Sequence, residues 1–186
     1  MSNGSWRDAR SIADLGQNMA LWLEGRIPSW PGYDTQFGYE ENNGARHLIP
    51  VLAAANRAGF VTTDSQPGTE SRGHDGALWR QRAFVSGYVC DRYPLLDRLL
   101  RLDRQGITVV RGWPRGQQVT LTDRDRRPHT TLGGFRLGRD FLTHEWNGIG
   151  RPALRELREH GVQIHLYDPE FGRDSLLWPA LTGAVR

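Results

Sequence analysis

Apolar residues recur every three to four positions in five stretches of this chain and gather in short alternating or β-branched runs in six others. Ile12, Leu15, Met19, Trp22 and Leu23 carry the first helical stretch, up to Gly25. Ser11 and Asp14 stand three positions apart just before it, the spacing of a capping box. A second helix is predicted over residues 46–58, where Leu48, Val51, Leu52 and Ala55 share one side and Pro50 falls near the first turn. Pro94 opens a third, carried by Leu95, Leu96, Leu99, Leu100 and Leu102, and Pro152 lies at the start of a fourth over residues 151–160. The tail, residues 175–186, reads as a short docking helix. Strands are predicted at residues 60–63, 81–90, 107–111, 118–122, 130–137 and 162–166. The last of them points Gln163, His165 and Tyr167 away from Val162, Ile164 and Leu166. Residues 65–80 are polar and glycine-rich and read as a connection.

Three of the helices stop at a glycine and pass straight into a strand. Gly59 precedes Phe60-Val61-Thr62-Thr63, Gly106 precedes Ile107-Thr108-Val109-Val110, and Gly161 precedes Val162-Gln163-Ile164-His165. Glycine adopts the left-handed conformation that closes a helix without steric cost, so the recurrence predicts helices feeding a sheet. The expected fold is a three-layer α/β domain with a mostly parallel or mixed sheet of five or six strands, in a single domain over residues 6–186.

Composition removes several chemistries. All 24 basic residues are arginine, so lysine Schiff bases, a phosphate-loop lysine and pyridoxal phosphate held through an internal lysine are excluded. Cys90 is the single cysteine, which rules out an internal disulfide or a multi-thiolate metal site within one chain, and its apolar surroundings read as buried strand. There is no run of eighteen apolar residues, and residues 1–6 lack the pattern of a secretory signal, so the expectation is a cytoplasmic protein with no membrane partner. The net charge is +3, with a mild excess of arginine after residue 90 and no polycationic arm.

In open α/β sheets, ligands settle beyond the carboxyl ends of parallel strands. Those ends carry Thr63, Asp64, Ser65 and Gln66, then Asp91 and Arg92, then Arg111, then Asp168, and a parallel sheet gathers them at one edge. Hydroxyls, a carboxylate and an amide ahead of Pro67-Gly68 suit a small-molecule site for a nucleoside-like or amide-bearing ligand. Ser65 and Gln66 orient it, Asp64 accepts a hydrogen bond or acts as a base, and Arg92 or Arg111 meets an anionic group. His144 and Glu145 are the acid/base candidates elsewhere, but a zinc H-E-x-x-H motif needs histidine where Gly148 stands. No G-x-S-x-G elbow, G-x-G-x-x-G loop or phosphate loop occurs, and neither a cofactor nor a metal is assigned.

Two other readings come from different classes. Arg115, Arg124, Arg126 and Arg127, interleaved with Trp113, His129 and Phe135, supply charge and stacking surfaces for nucleic acid over residues 111–139, opposed by Asp123, Asp125 and Asp140. Trp30, Tyr33, Phe37 and Tyr39 lie in an irregular segment, residues 26–44, that reads either as a lid or as packed irregular structure, and these aromatics could alternatively form a surface for a protein partner.

Trp6-x-x-Ala9-Arg10, Asp14-Leu15-Gly16, Trp22-Leu23-x-Gly25, Asn56-Arg57-Ala58-Gly59-Phe60-x-Thr62 and Ser65-Gln66-Pro67-Gly68 together resemble a small actinobacterial domain family of unassigned function. The resemblance spans roughly residues 6–90, and its most specific piece is the Thr-x-x-Ser-Gln-Pro-Gly run from Thr62. It implies an intracellular bacterial accessory protein and brings no reaction, cofactor or catalytic residue.

Overall fold

The central element of the computed structural model, which describes residues 4–32, 45–112, 118–133 and 139–186, is one long strand shared by two arrays. This strand, β3 (Leu78–Cys90), follows β1 (Phe60–Gln66) and β2 (Glu70–Arg72) in the chain. It is followed by β4 (Thr108–Arg111), β5 (Gln118–Arg124), β6 (Arg127–Gly133) and β7 (Gly161–Phe171). The half from Phe84 to Cys90 pairs with β1 and with β7, which in turn pairs with β4. The half from Leu78 to Gln81 pairs with β2 and with β5, which pairs with β6.

Every one of these pairings is antiparallel. The expectation of a mostly parallel or mixed sheet is thereby corrected, and seven strands replace five or six. The reason lies in the connections. A parallel pair needs its crossover to land beside the strand it left, whereas here β3 lies between β1 and β7, which run the same way. The polar stretch 65–80 is not all loop: it contains β2 and the start of β3, joined through the turn at Gly73–Gly76.

Among the described residues seven α-helices accompany the sheet: α1 (Gly4–Arg7), α2 (Ile12–Leu23), α3 (Ile49–Arg57), α4 (Pro94–Leu100), α5 (Arg139–Glu145), α6 (Arg151–His160) and α7 (Leu177–Ala184). Ser11 caps α2 as its spacing implies: its hydroxyl accepts from the Asp14 N–H while the Asp14 carboxylate accepts from the Ser11 N–H. Helix α7 contacts both α3 and α4, α5 contacts α6, and α2 touches both α3 and α6. The result is a three-layer α/β domain. Residues 83–90 of β3 are buried on both faces, as a strand between two helical layers must be.

Candidate functional site

The first strand carries the features that make a site. Its pairing with β3 slips between Thr62, opposite Gly87, and Asp64, opposite Ser86. The extra residue of this bulge re-aims the side chains. Asp64 stands opposite Ser86 in the register, and the Thr63 and Ser86 hydroxyls lie 3.3 Å apart. A side chain could not stand opposite the bulge, because a Cβ on Gly87 would lie 2.3 Å from the Val61 carbonyl oxygen. Thr62 is held from α3: Asn56, fully buried, donates to the Thr62 hydroxyl at 2.7 Å and accepts from its backbone N–H at 3.0 Å. Gly16 lets α2 approach the same point, since a Cβ there would meet the Asn56 carbonyl at 2.2 Å.

Between α2 and the bulge lies a cavity of ≈110 Å³. Met19, Trp22, Leu23, Trp30 and Leu52 form its apolar walls. Thr62, Thr63, Asp64 and Ser65 form its polar end. Trp30 anchors a tryptophan cluster: its ring stacks on Trp146 at 4.9 Å, meets Trp22 at 6.0 Å and Trp6 at 5.7 Å, and its N–H donates to the Glu145 carbonyl at 2.8 Å. The sequence puts Trp22 on the apolar side of a helix and leaves Trp30 between a lid, packed irregular structure and an aromatic surface. Trp30 is buried, and both tryptophans wall the cavity; the helical spacing of Met19, Trp22 and Leu23 was the signal that α2 would present them together.

The surrounding protein raises the Asp64 carboxyl above its ordinary range although the side chain reaches solvent at the mouth, and a backbone hydrogen bond from Ser65 opposes this only in part. Burial pushes Glu145 up to about 7, and its Oε2 has no hydrogen-bond partner. Burial and the nearby Glu145 carboxylate also raise the Tyr88 hydroxyl. His165, buried in a stacked arrangement with Phe84, is pushed down to about 4 and is neutral at physiological pH. A carboxyl whose folded pKa lies above its unfolded value contributes stability in full below the unfolded pKa and loses it as pH rises through the folded one. Glu145→Gln is therefore expected to match the wild type well below pH 4.5 and to exceed it by about 3 kcal/mol at pH 8. Urea denaturation at the two pH values measures the difference.

The other predicted residues separate. Gln66 is a clasp: its amide donates to the Arg82 and Leu121 carbonyls at 2.9 and 3.1 Å and accepts from Thr122 at 3.4 Å, tying β1 to β5. With these groups engaged it is not placed to orient a ligand. Gln66→Ala is expected to lose about 2 kcal/mol by leaving those partners unsatisfied, read as a lower urea midpoint. Asp168 is fully buried and grips Arg173 through two 2.7 Å bonds. Its strand neighbour Tyr167 stands level with Phe84 and Gln66, so Asp168 lies toward the same end of the sheet as Gln66, locked in an ion pair.

Asp91 and Arg92 lie at the opposite end, because β3 runs against β1. The Asp91 N–H donates to the His160 carbonyl, and both side chains reach the His160 ring. Arg111 is exposed opposite Ile164, toward that same far end. The single edge that a parallel sheet would have made does not exist. His144 is exposed while Glu145 is partly buried, and adjacent helix residues do not face each other.

Arg126 lies in the turn of the β5–β6 hairpin, and Arg124 and Arg127 pair with each other on either side of it. Arg124 pairs with Asp75 and lies 5.5 Å over the Trp79 ring, which meets His129 edge-on at 4.6 Å. A concavity of ≈460 Å³ opens there, lined by Arg124, Asp125, Arg127, Pro128 and His129. Arg115, Trp113, Phe135, Tyr33, Phe37 and Tyr39 lie outside the described residues. Among the described residues no group of three or more His, Cys, Asp or Glu is arranged to hold a metal, and no helix is long and apolar enough to cross a membrane.

An antiparallel α/β sandwich of helices around a shared strand, with one small aromatic-walled cavity at a bulged strand end, is the class of protein that these features define. The chain belongs to the family described as domain of unknown function DUF6919, whose model matches residues 1–186. The motifs in residues 6–90 thus belong to a family that extends over the later half as well. No curated protein matches the chain.

Proposed function

We propose that the cavity at the end of β1 is a small-molecule binding site whose polar contacts are made by Asp64 and Ser65. The observation that carries this reading is a carboxylate with no ion-pair partner among the described residues, at the mouth of a cavity walled by Trp22 and Trp30. Ligand sites combine apolar walls with a few convergent polar groups in just this way. Asp64, with its raised carboxyl, is also suited to take a proton from a bound donor. A compact ligand presenting N–H or O–H groups, such as an amide or the edge of a nucleobase, fits the acceptors.

A fragment screen against wild type, Asp64→Asn and Ser65→Ala, each shown to be folded by circular dichroism, tests the reading. At least tenfold weaker binding to the variants is expected. Equal retention of every bound compound by all three proteins would end it.

A second reading places nucleic acid on the β5–β6 turn. It is supported by the concavity beside Arg124, Arg127 and His129 and by the Trp79 ring beneath Arg124. Asp75 and Asp125 oppose it by sharing the same surface. Retention on single-stranded DNA that falls steeply with salt, and is lost in Arg126→Gln/Arg127→Gln, would favour it.

A further inference from the structure

We infer that the ligand of the Trp22–Trp30 cavity carries a positively charged amine and that Asp64 is its counter-ion. This rests on the small-molecule reading above and narrows it.

Among the described residues, the cavity's polar end consists of hydroxyls and one carboxylate, with no arginine, histidine, asparagine or glutamine in the lining. The formal charge that the described lining carries is therefore negative. The Thr62 hydroxyl is already engaged by Asn56 and the Thr63 hydroxyl by Ser86. Asp64 and Ser65 are left to meet a ligand. Among the described residues no arginine pairs with Asp64, whose carboxylate is favoured by a backbone hydrogen bond from Ser65.

Asp64 stands exposed at the cavity's mouth, beside the tryptophan walls. A cationic ligand supplies the carboxylate with an opposite charge at close range. A neutral amide adds only a hydrogen bond, and an anion is repelled. Indole rings attract cations through their π-systems, and Trp22 and Trp30, set at 76° to each other, give the cavity two differently oriented rings. The volume of ≈110 Å³ is somewhat below that of an enclosed cavity that holds one benzene, about 150 Å³. That suits a methylated ammonium headgroup, with any bulkier remainder of the ligand outside.

Titrations of the full chain at pH 8 with trimethylammonium chloride, acetamide and sodium acetate, followed by ligand-observed NMR, decide the matter. Trimethylammonium is expected to bind at least tenfold more tightly than acetamide, and acetate not to bind. Asp64→Asn should abolish the preference and Asp64→Glu should keep it, with cooperative thermal unfolding verifying both folds. If Asp64→Asn does not fold, the wild-type ranking and Asp64→Glu still decide. Acetamide bound as tightly as the cation, or a cation preference unchanged in Asp64→Asn, overturns the inference while leaving a small-molecule site in place. No binding by any of the three overturns the inference, and if the fragment screen also finds nothing the small-molecule reading falls with it.

Discussion

Trp146→Ala is expected to destabilise the protein by about 4 kcal/mol, in the range for emptying a fully enclosed tryptophan site. Trp146 has no exposed surface, stacks on Trp30 at 4.9 Å and closes the cluster that also contains Trp6 and Trp22. Its loss leaves a void that rigid indole neighbours are poorly shaped to fill. Trp30 would lose its stacking partner while remaining tethered to the Glu145 carbonyl. The measurement is the urea midpoint at constant m-value. Trp146→Phe separates packing from polarity: the Trp146 N–H has no hydrogen-bond partner, so phenylalanine is expected to keep more than half of the stability that alanine loses. A Trp146→Ala loss under 1 kcal/mol would show that the cluster is not packed as described.

Asp168→Ala is expected to cost about 3 kcal/mol, toward the low end for breaking one half of a buried ion pair. Asp168 is completely enclosed and meets two guanidinium nitrogens of Arg173 at 2.7 Å, and it also accepts the Glu170 N–H at 2.8 Å. Arg173 is partly exposed and keeps Glu170 as a second carboxylate at 2.9 Å, which tempers the loss. The neighbouring turn depends on the same residues. A Cβ on Gly68 would lie 2.1 Å from the Arg173 carbonyl, and the Gly68 N–H donates to Asp174 at 2.7 Å. Breaking the pair is therefore expected to loosen the turn that joins β1 to β2. A double-mutant cycle with Arg173→Ala measures the coupling, expected above 1 kcal/mol.

Much of the architecture is legible in the chain because local rules govern it. Ser11 and Asp14 cap a helix through their own spacing, prolines 50, 94 and 152 sit in first turns, and glycines 59 and 106 with positive φ mark where helices hand over to strands. Gly161 marks a junction too, but in extended conformation, as the first residue of β7. Strand direction is not local. Nothing in the junction at Gly59 reports that β1 will return through residues 67–77 to an antiparallel neighbour, and that one non-local fact moves Asp91 and Arg92 to the far end of the sheet. The candidate site divides in the same way. Thr63, Asp64 and Ser65 stood out because a polar run ended an apolar strand. Gln66 stood out for the same reason, yet its partners, 16 and 55 residues away, make it a clasp. Trp30 and Glu145 belong together only through a fold that brings positions 115 residues apart into one hydrogen bond. The hairpin turn at Asp125-Arg126 also hides from composition: both residues have positive φ, 50° and 63°, where asparagine and glycine are the usual choices.

Mapping a fragment titration onto backbone and indole ¹H–¹⁵N resonances tests the placement of the site most directly. Shifts concentrated at Thr62, Thr63, Asp64 and Ser65 and at the indoles of Trp22 and Trp30 are the predicted result. Shifts confined to residues 124–129, or scattered with no focus while the cavity resonances stay fixed, would contradict it.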